Sequence, residues 1–296
     1  MKRVCKRPIQ LDAVSLCYEV VHPYYYEQLS SLNYGECFDM DEFRLYRTEG
    51  RYFDNVYAIR LDNGTRDIDW GVLKFNLARG DEQSNTHTSG NRKVWFSLNN
   101  ETLYSKDIHF LTYIEQRLGL EFHNVTSLDL ALDTPFNISK VVKKLLHNKN
   151  VITILNGKRV TDRDEDRPEI NYPASGSLNN QNKYQTVNIK QRNAIKDKNK
   201  GVTIQTYDKI AEIKNSSDKQ YIMEYYGNPQ RLYRTEVHLN AEDIKNYVER
   251  RNIQYTPLIF FDATILEDMF FHFINSVIRF LCKTKDVSWE HLLGRS

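Results

Sequence analysis

An α+β fold, with a mostly antiparallel sheet and helices packed on one side of it, is what this sequence predicts. Two observations point there. Short runs that alternate apolar and polar residues recur between turn signals over the first hundred residues, the period-2 pattern of half-buried strands. Apolar residues at helical spacing appear in a few separate later stretches. The chain has 296 residues, 40% apolar and 27% charged, enough to bury a substantial core.

Taken in order, "VYAIRL", "WGVLKFNLA" and "KVWFSL" read as strands, joined as hairpins through "DNGT" and "TSGN". In "KDIHFLTYIEQRLGL", Ile108, Leu111, Ile114 and Leu118 predict a helix from about 106 to 119 that Gly119 caps. "VTSLDLALD" follows as a strand. Pro135 and Asn137 then lead into the helix "ISKVVKKLLHN", with Lys140, Lys143, Lys144 and His147 on its polar face. Residues 161 to 183 are polar and aperiodic, which predicts a flexible loop. After it come "YQTVNIKQ", a basic turn, the strand "VTIQTYD", short helices to about 226 and the strand "LYRTEVHL". A helix from about 241 to 250 and a long apolar one from about 264 to 282 close the chain. The expected organisation is an N-terminal half, 1–160, with the hairpins and the first acidic strand, and a C-terminal half, 184–296. Two pseudo-repeated halves are compatible with it.

A formal charge of +2 does not by itself call for an anionic partner, so any case for nucleic acid rests on local clusters of Lys and Arg. Cysteines at 5, 17, 37 and 282 have no CxxC spacing, which argues against a zinc module or a disulfide framework and for reduced thiols. No apolar run of signal-peptide length follows the basic start, and "FFHFINSVIRFL" falls short of a membrane span. A cytoplasmic protein with no membrane partner is expected.

Strand side chains alternate, so Asp129, Ala131 and Asp133 share one face of "SLDLALD", and Arg234, Glu236 and His238 share one face of "LYRTEVHL". Acids and a histidine on adjacent strands make a site suited to Mg²⁺ or Mn²⁺. The alternative is a buried ion pair of Asp129 with Arg234, leaving Glu236 and His238 on a solvated face. Tyr207, in "TIQTYDKIAEI", is either one more ring among 19 tyrosines or a nucleophile. Lys209 favours the second reading if the strand continues, because it then shares the face of Tyr207 and lowers its pKa or neutralises a phosphate. Tyr225 and Tyr226 of "MEYYG" are the next candidates, and read as helix core. Lys183, Lys190, Arg192, Lys196, Lys198 and Lys200 form either a DNA-tracking segment or the solvated tip of a lysine-rich hairpin.

Read together, "SLDLALD", "TVNIKQRNAIKDKNKGVTIQTYDK" and "YRTEVHL" resemble, in order and spacing, the replication initiation factors of rolling-circle plasmids, phages and integrative elements. The resemblance covers roughly residues 125 to 240. It implies a distantly relaxase-like (HUH-endonuclease-like) fold and a metal-dependent enzyme that nicks and rejoins single-stranded or hairpin origin DNA. By position, it implies Tyr207 as nucleophile forming a 5′-phosphotyrosine, and Asp129 and Glu236, with Asp133 and His238, as metal-associated residues. Arg234 and Lys209 become phosphate-facing cations. Lys190, Arg192, Lys196, Lys198 and Lys200 become DNA contacts, and a host helicase and a second copy of the chain become partners. Two positions depart from the pattern: Ser127 stands where an arginine is frequent, and His238 where an acid or an aliphatic is. An origin-binding protein without cleavage and a metal-dependent hydrolytic nuclease are the alternatives.

Overall fold

The computed structural model describes residues 5–62, 67–77, 93–105, 110–160, 169–171, 186–191, 201–283 and 285–295. Along the chain, β1 (Gln10–Val20) and α1 (Tyr24–Ser31) precede β2 (Cys37–Asp39), β3 (Phe43–Thr48), β4 (Phe53–Asp62), β5 (Asp67–Leu77) and β6 (Lys93–Leu98). Next come α2 (Asn100–Tyr104), α3 (Phe110–Arg117), β7 (Leu120–Thr134), α4 (Ile138–Leu146), β8 (Val151–Leu155), β9 (Lys158–Arg159), β10 (Glu169–Asn171) and β11 (Thr186–Lys190). The chain continues through β12 (Thr203–Asp208), α5 (Lys209–Glu212), α6 (Gln220–Tyr225), β13 (Tyr233–Asn240), α7 (Ala241–Arg251) and α8 (Ala263–Val277). It ends in β14 (Ile278–Cys282), β15 (Lys285–Val287) and α9 (Trp289–Leu292). The fold is α+β. The four cysteines are free thiols. No helix among the described residues is long and apolar enough to cross a membrane.

The residues group into two compact units. One holds Ala13–Leu128 and Tyr255–Pro257. Its strands run in the order β7-β1-β6-β5-β4-β3-β2, with β2 through β6 joined as antiparallel neighbours. The alternation read from the sequence appears here as burial: Tyr57 and Ile59 of "VYAIRL" and Val94 and Phe96 of "KVWFSL" are buried.

The other unit holds Met1–Asp12, Asp129–Gln254 and Leu258–Ser296. Its larger sheet runs β10-β11-β12-β13-β7-β1, using the end of β7 and the start of β1. The pairs from β10 to β13 are antiparallel. One face is apolar. Val187, Ile189, Ile204, Val237, Leu130 and Leu132 are all fully buried, as are Ile138 and Val142 of α4, which packs on β11, β12 and β13. Helices α7 and α8 pack on β13 as well. Each such buried aliphatic contributes about 1.5–3 kcal/mol through removal from water. With helices on the apolar face, side chains of opposite parity are left for the other face, and every candidate of the acidic strands is among them.

Local signals explain several boundaries. Asn137 caps α4, its Oδ1 accepting from Lys140 N at 2.8 Å. The expected helix over 264–282 is corrected: it stops at Val277, and Ile278 turns to an extended backbone at φ −140°, ψ 134°. From there Ile278 and Phe280 alternate buried with exposed Arg279, a strand pattern that pairs with β8. This strand joins a second, smaller sheet, β15-β14-β8-β9. Within the expected flexible loop, residues 169–171 form β10 against β11. The rest of that loop lies outside the described residues.

Candidate functional site

Strands β12 and β13 bring the site together. Their register sets Thr203 opposite His238, Gln205 opposite Glu236 and Tyr207 opposite Arg234, so these six side chains share one face. Pairing with β11 adds Asn188 beside Gln205 and Lys190 beside Thr203. A recess of about 210 Å³ opens between Thr203, Gln205, Glu236 and His238.

Tyr207 donates its hydroxyl to Glu236 Oε2 at 2.8 Å. Burial is the main reason its phenol stays protonated far above the ordinary range. Arg234 opposes that, and the nearby carboxylates of Glu236 and Asp12 reinforce it. Glu236 is itself held above the usual carboxylate range, first by burial and then by Asp12. The pair is therefore a neutral phenol beside a carboxylate of raised proton affinity, the arrangement that eases proton transfer to the acid.

Arg234 is fully buried. Its Nε and Nη2 donate to the two oxygens of Asp133 at 2.9 and 2.7 Å, and its Nη1 donates to Asp12 at 2.5 Å. The guanidinium thus faces carboxylates, where the resemblance placed a phosphate. The ion pair that sequence reading allows for Arg234 is with Asp129; in the structure the other acid of that strand face, Asp133, takes the place. Asp129 instead accepts from His238 Nδ1. That hydrogen bond raises the pKa of His238, against the pull of burial. It also fixes the ring and leaves Nε2 for other partners.

Lys209 does not continue the strand. Asp208 ends β12 and caps α5, accepting from Ala211 N at 3.0 Å. The lysine becomes the first residue of the helix, 2% exposed, with Nζ 2.7 Å from Glu212 and 5.7 Å from the centre of the Tyr207 ring. Burial, seconded by Arg234, lowers its pKa. It packs over the ring, and it does not depress the phenol's pKa as a continued strand would imply.

Asp133, with both oxygens on Arg234 and no exposure, is not placed to ligate an ion. Among the described residues no three His, Cys, Asp or Glu side chains stand together as a metal cluster. The donors that face the recess are Glu236 and His238, with Gln205 and Thr203 beside them. This oxygen-rich set suits a hard cation bound through few protein ligands. Of the DNA-contact candidates Lys190 lies on this face, whereas Arg192, Lys196, Lys198 and Lys200, with Lys183, lie outside the described residues. Tyr225 is 46% exposed, so it is not helix core, and its hydroxyl accepts from Gln10 Nε2 at 2.7 Å. Tyr226 stacks under Arg7.

Sequence reading missed Asp12. Its one local signal is a lone carboxylate inside the apolar run "QLDAV", since a buried acid requires a partner. That partner, Arg234, lies 222 residues away.

No protein-family model matches the chain, and no curated protein matches it. Among solved structures, the chain is similar to a rolling circle replication initiator protein from Geobacillus stearothermophilus. Identity is 13% and the TM-score 0.44, over 95% of this chain and 88% of that one.

Proposed function

We propose that this protein nicks and rejoins a DNA strand through Tyr207, as a rolling-circle replication initiator does. The observation that carries the reading is the hydrogen bond from Tyr207 to Glu236, the latter lining an open recess. A phenol in contact with a proton acceptor that itself lines a recess has the parts of an activated nucleophile.

In this reading the Tyr207 oxygen attacks phosphorus in line while its proton passes to Glu236. The P–O3′ bond breaks, and the leaving oxygen takes up a proton as a free 3′-hydroxyl. The 5′ side stays linked to the protein as a phosphotyrosine, whose energy is conserved for rejoining. Arg234 anchors the part of β13 that pairs with Tyr207, because its two carboxylate partners tie β13 to β7 and β1. Lys209 packs over the ring and limits its rotation. A Mg²⁺ or Mn²⁺ ion held by Glu236 and His238 would supply charge stabilisation to the phosphate oxygens. Asp129 orients His238 for that role through Nδ1. Origin DNA, presented as a single strand or hairpin, is the proposed substrate.

The test is incubation with a 3′-labelled single-stranded or hairpin oligonucleotide followed by a denaturing gel. A label that migrates with the protein supports the reading. Hydrolysis without an adduct supports a water-using nuclease instead, and binding without cleavage supports an origin-binding protein.

A further inference from the structure

Between Asp133 and Asp162 the chain carries Lys140, Lys143, Lys144, Lys149, Lys158 and Arg159 and no acid at all. The structure gathers this stretch in one place. Lys140, Lys144 and His147 are exposed and follow one another along α4 at intervals of three to four residues, hence on one side of the helix. Helix α4 packs on β8, and β8 pairs with β9, whose Lys158 and Arg159 are both exposed. Leu155, opposite Lys158, is four residues along β8 from Val151, about 13 Å at strand spacing. Lys140, Lys144, Lys149, Lys158 and Arg159 have no carboxylate partner among the described residues. On the described strands of the small sheet the one acid is Asp286, and it pairs with Arg279.

Ordinary structural roles account for only part of this. Lys143 and Lys144 sit in the last turn of α4, where cations complement the helix dipole. Lys158 and Arg159 lie on an edge strand, where charge discourages pairing with other chains. Neither role explains Lys140, which stands in the first turn against the dipole, nor Lys149 in the turn between helix and strand. A membrane surface fits poorly, because Ile138 and Val142 are buried under the helix and no large apolar side chain of this stretch is among the exposed ones.

We infer that the surface formed by α4 and the β8–β9 hairpin is a second nucleic-acid contact that binds the phosphate backbone of duplex DNA flanking the nicked strand. It rests on the DNA reading given above, and extends it to a surface built on helix α4 and the small sheet, away from the face that carries Tyr207. Cations on an exposed helix and hairpin contact phosphates with no base readout, so the contact is sequence-independent.

The experiment titrates a fluorescent duplex of about thirty base pairs with the whole chain at several salt concentrations. It compares wild type with a Lys140→Gln/Lys144→Gln/Lys149→Gln/Lys158→Gln variant. The lysine variant is expected to bind any duplex more weakly, with a log-log salt slope shallower by about 0.9 for each phosphate that is no longer neutralised. A Lys158→Gln/Arg159→Gln variant repeats the comparison without touching α4, in case the first loses structure by circular dichroism. Unchanged affinity and slope in a folded variant overturn the inference. So does a lysine-dependent attachment to phosphatidylserine vesicles with no lysine dependence for duplex. If wild type forms no covalent adduct with single strands yet loses duplex affinity with the lysines, the nicking reading fails and this surface stands.

Discussion

Arg234 meets Asp133 through two parallel hydrogen bonds, Nε to one carboxylate oxygen and Nη2 to the other, with neither side chain exposed. Asp12 adds a second carboxylate on Nη1. Removing the cation therefore strands two acids, one of them wholly buried. Arg234→Met is expected to destabilise the fold by about 3–5 kcal/mol, the range for breaking a buried ion pair by removing one partner. Arg234→Lys should recover only part, since an ammonium cannot make the paired contact. Urea unfolding of the three proteins checks this, and a loss below about 1 kcal/mol would show that water reaches the carboxylates.

Tyr207→Phe deletes one hydroxyl whose main contact is Glu236. Covalent adduct formation should disappear while the thermal midpoint stays near wild type, because the ring that packs beside Lys209 is retained. An adduct that persists would move the nucleophile elsewhere, with exposed Tyr225 the next residue to change.

Glu236→Gln keeps the size of the side chain but removes its power to accept the phenol proton and weakens it as a hard-cation ligand. Activity should fall by at least about a hundredfold, the usual scale of acid–base assistance. His238→Ala should raise the Mg²⁺ or Mn²⁺ concentration needed for half-maximal cleavage more than it changes DNA affinity. Full cleavage in excess chelator would remove the metal from the mechanism.

His272 lies against the Tyr247 ring, 5.4 Å between centroids, and burial, helped by Arg251, lowers its pKa below 6.5. With the folded value depressed, the unfolded chain binds a proton first as pH falls. Stability is thus full above about 6.5 and drops as pH descends from there toward the folded value. His272→Gln should flatten that limb of the stability profile. Unfolding measured from pH 5 to 8 reads the difference, and parallel profiles would show that this ring is hydrated.

Much of the site is legible in the sequence. Alternation along β7 and β13 correctly separates Leu128, Leu130 and Leu132 from the acids, and puts Arg234, Glu236 and His238 together, because one buried face fixes which residues alternate inward. What alternation cannot give is the offset between strands. That offset decides that Arg234 meets Asp133 while His238 meets Asp129, and it is set by side chains far apart in sequence. Lys209 misleads for a local reason: Asp208 is an N-cap residue, and a cap signal there outweighs continuation of the strand. The end of α8 is legible in principle, since "IRFLC" carries the period of a strand. Its apolar composition hides the change of period.

Two glycines set a final test, because the structure gives them different reasons to be glycine. Gly157 follows Asn156 in the turn between β8 and β9, and both have positive φ, +76° and +51°. Such a turn matches the twist of the hairpin. A Cβ added at Gly157 meets nothing within 4 Å. Gly157→Ala should therefore cost only the left-handed backbone penalty, about 1–2 kcal/mol. Gly71 on β5 has no such backbone, yet a Cβ there would stand 2.8 Å from the Ser97 carbonyl oxygen and 3.3 Å from the Phe96 ring. Gly71→Ala must push β5 from β6, at about 1–3 kcal/mol for overpacking. The two causes separate by rescue. Gly157→Asn should restore most of the loss at the turn, since asparagine tolerates positive φ, whereas Gly71→Asn should be worse than Gly71→Ala because it adds volume where there is none. Chemical denaturation of the four variants measures both orders, and a Gly71→Asn protein as stable as Gly71→Ala would place the cost at that position in the backbone.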